Sequence, residues 1–388
     1  MAARPATRRT TPDPSADAVR SPVRDFTGGG AGYVIEWDVR PVYDFLFSLA
    51  AEAGATEDLP ADDRAWLKDA RAALPEAAQA ELGKLCENDI AIHLGAFVVE
   101  RRELRTADAV VAAIEAAGPA PVLRSIFSEA ILAEPANGPL IERAIAGDTG
   151  ALPILEQTLP EWKRTERLAL LQDPAAAHRE IVELLRAWAD QFRPLEARIS
   201  SIIARDFDLR AADRGAYRGP DLIERTTNGV RWLAEPGVHR VILAPSYFAR
   251  PYNYLLAGAD WRFFGYPVAD DAVDIVDPLV PPAAVVRLHR ALGDQTRLRI
   301  LKLLASKDLY LTEIAQLLEL SKPTIKHHLS QLRVAGLVTV VESGQVMYYT
   351  LRRDRLDAAS MEVKQFLVGE RGGPRPRLGA VASSGPKG

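Results

Sequence analysis

A chain of 388 residues, 48% hydrophobic and 26% charged, is long enough to bury more than one core, and two domains are expected. A single cysteine, Cys86, excludes an intramolecular disulfide and a thiolate metal cage built by this chain alone, and it fits a reducing cytoplasm. The net charge of −4 hides an uneven distribution: residues 285–353 hold 11 Lys/Arg against 5 Asp/Glu, a net +6, which leaves −10 elsewhere. An acidic body thus precedes a basic module, and a concentrated basic face suits a polyphosphate partner.

Residues 1–31 are rich in Pro, Thr, Ser, Arg and Gly, hold no apolar run of a signal sequence, and are expected to be a disordered tail. The following "GGGAG" lacks the Lys-Ser/Thr of a phosphate loop. "YVIEWDV" predicts a short strand, and from Pro41 to about Asp208 the pattern is mostly helical. Its clearest stripe is Ile181, Leu184, Trp188, Phe192, Leu195, Ile199 and Ile202, with Pro194 expected to kink or split the helix. Nowhere do roughly 20 consecutive apolar residues occur, so no membrane span is expected. After Gly219 the period changes, and "HRVILAPSYF" and "DWRFFGYPV" predict strands. Eight aromatics fall between Tyr247 and Tyr266, either lining a ligand pocket or, by the stronger reading, forming the core of a hairpin. Asp270, Asp271, Asp274 and Asp277 then precede three prolines, without the Gly and terminal Glu of a calcium loop, and residues 270–283 are expected to be a linker.

From residue 284 the local signals agree. "LGDQTRLRILKLLA" predicts a helix with Leu292, Leu298, Ile300, Leu301, Leu303 and Leu304 on its apolar face and Asp294 or Thr296 as cap. "LTEIAQLLEL" predicts a second, capped by Thr312, with Ile314, Leu317 and Leu318 inward. Ser321 caps a third, whose first turn accepts Pro323 and whose Ile325, Leu329 and Leu332 point inward. That is helix-turn-helix spacing. Lys322, Thr324, Lys326, His327, Ser330 and Gln331 then face outward beside the Ser321 cap, on the half of the helix that enters a major groove in this motif. The adjacent His327 and His328 diverge by about 100°, so a shared metal is not expected. His327 is assigned to DNA; His328 borders the core and either packs or holds a phosphate. Gly336 closes the helix, and "TVVESGQVMYYTL" predicts a hairpin around Ser343-Gly344. The whole is expected to be α+β: a mainly helical N-terminal domain with a small β-rich part (residues 32–269), then a winged helix-turn-helix (284–368) and a disordered tail (369–388).

These three motifs resemble the ArsR family of bacterial winged-helix transcription regulators over roughly residues 284–368. The resemblance implies a homodimer on a double-stranded operator, usually repressing, with Lys322, Thr324, Lys326 and His327 on DNA and Gln345 at the wing, where many members carry arginine. Metal-sensing members carry Cys-x-Cys at the start of the helix before the turn, where this chain has Tyr310 and Thr312, or Asp and His ligands on the last helix, where "DRLDAASMEVKQFLVGE" has no His. No metal or other cofactor is therefore expected. Leu356, Ala359, Val363 and Phe366 on that helix suit a dimer seam with the helix around Leu288 and Leu292, or else pack onto their own domain. "VHRVILAPSYF" and "FFGYPV" also resemble the uncharacterised domain that precedes such a module in some actinobacterial regulators.

An enzyme is not expected. The chain has no G-x-S-x-G, H-E-x-x-H or nucleotide loop, and Cys86 with His93 seven residues on reads as a buried small thiol near an incidental histidine. Two functions stay open. One is a DNA-binding regulator whose N-terminal domain takes a small-molecule effector or sets oligomeric state. The other is an enzyme or protein-interaction module for which the winged helix provides dimerisation or protein binding.

Overall fold

The computed structural model describes residues 32–50, 55–86, 90–160, 164–273, 279–343 and 346–368. Both expected tails, Asp274, Asp277 and the wing-tip residue Gln345 lie outside these, as do the side chains of Cys86 and Ala359.

The predicted first strand forms as β1 (Val34–Trp37), but its neighbour is distant in sequence. It pairs in parallel with β3 (Arg240–Ser246), which pairs in parallel with β5 (Trp261–Pro267), and β4 (Tyr254–Ala257) closes the order β1-β3-β5-β4 antiparallel to β5. Parallel neighbours need a crossover; the helices between residues 42 and 226 supply it for β1 and β3, and the segment carrying β4 supplies it for β3 and β5. The hairpin expected between Tyr247 and Tyr266 forms from β4 and β5, while "HRVILAPSYF" and "DWRFFGYPV" themselves run the same way. The unbroken apolar run Val241–Ala244 explains this, because a strand covered on both faces need not alternate with polar residues. Ile242, Ala244 and Phe263 face the large helical core, whereas Val241, Leu243, Phe264 and Tyr266 face a smaller cluster with Tyr33, Ile223 and Trp232. The aromatic-rich stretch is core, with Tyr247, Phe248 and Phe263 essentially sealed.

Helix α1 (Val42–Ala50) is buried along its whole length. Against it lies α2 (Pro174–Leu209), whose Trp188 donates to Ser48 Oγ at 3.0 Å. The expected stripe is its inner face. Of the kink or split expected at Pro194 the split does not occur, since α2 continues through it. Asp190, whose carbonyl loses its amide partner to the proline, is on the solvent side, where water can take that bond. After α2 come α3 (Ala211–Ala216), α4 (Gly219–Thr226) and the short β2 (Val230–Trp232).

The C-terminal module comprises α5 (Ala283–Leu292), α6 (Gln295–Leu304), β6 (Leu309–Tyr310), α7 (Leu311–Leu318), α8 (Lys322–Val334), β7 (Val338–Ser343), β8 (Val346–Leu351) and α9 (Arg353–Val368). Its core includes Leu288, Ile300, Ile314, Ile325, Leu329 and Leu332. Leu292 ends α5 rather than starting α6, and Leu298 and Leu317, expected inside, are 48% and 54% exposed. Asp294 caps α6 by accepting from Arg297 N at 2.8 Å. The start of α7 is closed not by Thr312 but by Glu313, whose carboxylate accepts from Tyr310 N at 2.8 Å.

The module's sheet has the order β2-β7-β8-β6, so a strand from the N-terminal region forms its edge. β2 lies parallel to β7, with Val230 opposite Val340, and Val340 N donates to Gly229 O at 2.9 Å. Asp270, expected in a linker, is nearly buried. It pairs with Arg250 and accepts from Ala284 N at 2.8 Å, capping α5. Arg287 of α5 pairs with Asp58.

Candidate nucleic-acid interface

Helix α8 is set by its ends. Glu319 ends α7 in the left-handed region (φ 56°), and Leu320 N returns to Ala315 O at 3.0 Å, which turns the chain sharply. Ser321 then caps α8 by accepting from Thr324 N at 3.3 Å, and the Ser321 and Thr324 hydroxyls are 2.7 Å apart. At the far end Gly336 takes φ 73°, and a Cβ there would sit 2.9 Å from Asn228 Oδ1. The N-terminal region thus closes on the end of the helix.

Between these ends Ile325, Leu329 and Leu332 are fully buried, and their burial fixes what faces out. Ser321, Lys322, Thr324, Lys326 and His327 are exposed; Ser330 and Gln331 are half-buried. His328 does not share their face. Its side chain is 15% exposed, with Nδ1 3.8 Å from Asp294 Oδ1 at the start of α6 and lacking a hydrogen bond among the described residues. Burial lowers its pKa, offset in part by Asp294, so it is neutral at neutral pH. The paired histidines are therefore two environments, an exposed ring and a packed one. Gln345, between β7 and β8 in the sequence, is outside the described residues.

The expected dimer residues divide. Leu288 is fully buried in its own domain, whereas Leu292 packs against the same core and stays half-buried. On α9, Leu356 is 36% exposed and Val363 and Phe366 are half-buried. What the sequence reading missed is the junction of β2 with the wing sheet. There Arg352 Nη1 donates to Asn228 Oδ1 at 2.9 Å and Thr339 Oγ1 to Glu224 at 2.9 Å. The available signal was Asn228-Gly229, both at positive φ, before the alternating Val230-Arg231-Trp232.

Among the described residues no group of three or more His, Cys, Asp and Glu side chains converges as a metal site, and no helix is long and apolar enough to cross a membrane. A tight turn, a basic helix on a three-point apolar anchor and a two-stranded wing define a winged helix-turn-helix transcription regulator. The model of the arsR family of bacterial regulatory proteins matches residues 294–340, and the chain belongs to that family. It is 40% identical over 64 residues to the transcriptional repressor SdpR of Bacillus subtilis, covering 16% of this chain and 71% of that protein. It is 37% identical over 86 residues to the HTH-type transcriptional regulator CmtR of Mycobacterium tuberculosis, covering 22% of this chain and 73% of that protein. Among solved structures, HlyU from Vibrio cholerae is 31% identical over 22% of this chain and 91% of its own, with a TM-score of 0.18.

Proposed function

We propose that the protein is a cytoplasmic, sequence-specific operator-binding repressor that acts as a homodimer, works by binding rather than catalysis, and does not sense metals through the family's usual cysteine or histidine sites. The observation that carries this reading is the exposed N-terminal half of α8, held outward by buried Ile325, Leu329 and Leu332. Lys322, Lys326 and His327 meet base edges or phosphates there, and Thr324 shares its hydroxyl with the Ser321 cap. The part-exposed apolar face of α9 supplies the seam between two copies, whose α8 helices fit half-sites one DNA turn apart, roughly 34 Å.

The test is binding to duplex DNA from upstream of the protein's own gene across a salt series. Affinity should fall steeply as salt rises, because each phosphate contact releases counterions. Lys326→Ala should weaken binding; if Lys326 reads a base, it should also relax preference at one position by about 1–3 kcal/mol. Equal affinity for random duplex, or unchanged binding in both Lys322→Ala and Lys326→Ala, would sink the reading. Repression is checked with a reporter under the same upstream region, whose output should rise when the gene is removed.

A further inference from the structure

Most arginines around the first sheet are matched to carboxylates: Arg40 to Asp38, Arg198 to Asp63, Arg231 to Asp221 and Glu224, and Arg240 to Asp260. Arg214 and Arg218 depart from this. Among the described residues neither forms an ion pair. Arg214 Nη1 donates to Phe207 O, and Arg218 Nη1 to the carbonyls of Arg214 (2.8 Å), Gly215 and Tyr217. The nearby carboxylates are engaged elsewhere, Asp213 with Arg225 and Asp221 with Arg231. Two cationic forks therefore lie four residues apart on one side of a cleft with no carboxylate partner among the described residues.

Both line a cleft of about 390 Å³ between one face of β1 and the start of α4, together with Tyr33, Ile35, Trp37 and Leu222. That volume is within the range of small-ligand sites, and the mixture of apolar walls with a few converging polar groups is typical of them. The Arg214 guanidinium is fixed over the rings of Phe207 (3.6 Å) and Trp37 (5.4 Å), so its orientation is set before anything binds. Tyr33 is 8% exposed, and its buried hydroxyl has no hydrogen-bond partner among the described residues. No side chain caps α4, which leaves the amides of Gly219 and Asp221 open to an anion, Pro220 between them having none. In the cleft of about 420 Å³ across Trp37, Arg40 and Arg102 are neutralised by Asp38 and Glu36, which leaves one lining arginine, the exposed Arg105, without an ion pair among the described residues, against two here.

We propose that the cleft binds a small aromatic anion, its charged group held by Arg214 and Arg218 and its ring against Ile35, Trp37 and Leu222, and that occupancy shifts operator affinity through α4 and β2. A guanidinium fork matches carboxylate or phosphate oxygens, and an apolar wall that includes the Trp37 ring favours a planar ring over a hydrated aliphatic acid. The route to DNA is contiguous. α4 leads through Asn228 and Gly229 into β2, which is hydrogen-bonded to β7, while Glu224 of α4 holds Thr339. This second half rests on the operator-binding reading; the binding half does not.

The full-length chain would be titrated by calorimetry with 4-hydroxybenzoate, adenosine monophosphate and acetate, and its affinity for upstream DNA measured with and without each. At least one aromatic anion should bind, the two probes distinguishing carboxylate from phosphate, and acetate should bind at least tenfold more weakly. Arg218→Ala, on an exposed residue, should weaken binding at least tenfold without moving the thermal midpoint, and Arg214→Gln should act likewise. Binding of neither aromatic probe, equal binding of acetate, or unchanged affinity in Arg218→Ala overturns the site. Ligand binding that leaves DNA affinity unchanged overturns the coupling, since linkage must be reciprocal. Arginine-dependent ligand binding in a chain with no DNA preference leaves the site standing and overturns the operator-binding reading instead.

Discussion

Asp44 is the residue whose environment departs furthest from its sequence appearance. It occupies the first turn of fully buried α1, where Oδ1 accepts from Ser246 Oγ at 2.6 Å and Phe248 N at 2.7 Å, and Oδ2 has no partner among the described residues. Burial, only partly offset by those bonds, pushes its pKa up to about 7. The folded chain therefore holds a proton that the unfolded chain has released. Stability from this group is fully present below the unfolded value near 3.8 and is lost as pH rises through about 7, a loss on the order of 4 kcal/mol. Asp38 and Asp63, whose pKa values are lowered, act below about pH 4 and with opposite sign. The lowered His328 also opposes Asp44, its contribution falling away as pH drops below its ordinary value near 6.5. Urea unfolding of wild type and Asp44→Asn at pH 5 and 8 separates these. The difference between the two proteins should change in favour of the variant as pH rises, and a pH-independent difference would show that Asp44 ionises normally. A single Asp in "VYDFLFSLA" reads as a helix N-terminal acid; only the return of β3 above it, some 200 residues on, makes it a buried one.

Among the elements, the junction of β2 with β7 carries the most information per residue. Asn228 adopts φ 55°, which asparagine tolerates better than other non-glycine residues, and it accepts a charge-assisted bond from Arg352. Asn228→Ala should destabilise the chain by about 2–3 kcal/mol, combining positive-φ strain with the lost bond. Asn228→Gly removes only the bond and should cost less. A double-mutant cycle with Arg352→Ala checks the assignment: the two losses should be strongly non-additive, and additive losses would show the bond contributes nothing. The helix-turn-helix was legible because each of its signals is local: the Ser321 cap, the Ile325, Leu329 and Leu332 spacing, and the Gly336 stop all act within a few residues. The parallel order of β1, β3 and β5 was not, since pairing between strands this far apart leaves no periodic mark. On the interface, the outward face of α8 could be read from its buried positions. Leu298 and Leu317 were misplaced because apolar content alone does not say which side of a short helix meets the core. Arg214 and Arg218 could not be singled out in an arginine-rich chain until the pairing of the others was known.

At the scale of the molecule, the N-terminal body and the C-terminal module are held together by Asp270 at the start of α5, by Arg287 with Asp58, and by the shared sheet. A strand edge is a row of unpaired amides and carbonyls, and here β2 covers the one that β7 would present. The Val340 amide should therefore exchange slowly with deuterium in the full chain and rapidly in a fragment of residues 279–368, where its acceptor, Gly229 O, is gone. Equal protection in both would mean that the fragment closes its own edge and the ladder is incidental. If the difference is found, this DNA-reading head is not a portable part. Grafted onto a foreign carrier it would bring a sticky rim, and an unrelated head grafted onto this body would lack the Thr339 and Arg352 that donate to Glu224 and Asn228; a cut at residue 270 opens the shared sheet and a cut before α4 would part β1 from β3 and β5, so a hybrid regulator needs a new strand in the place of β2.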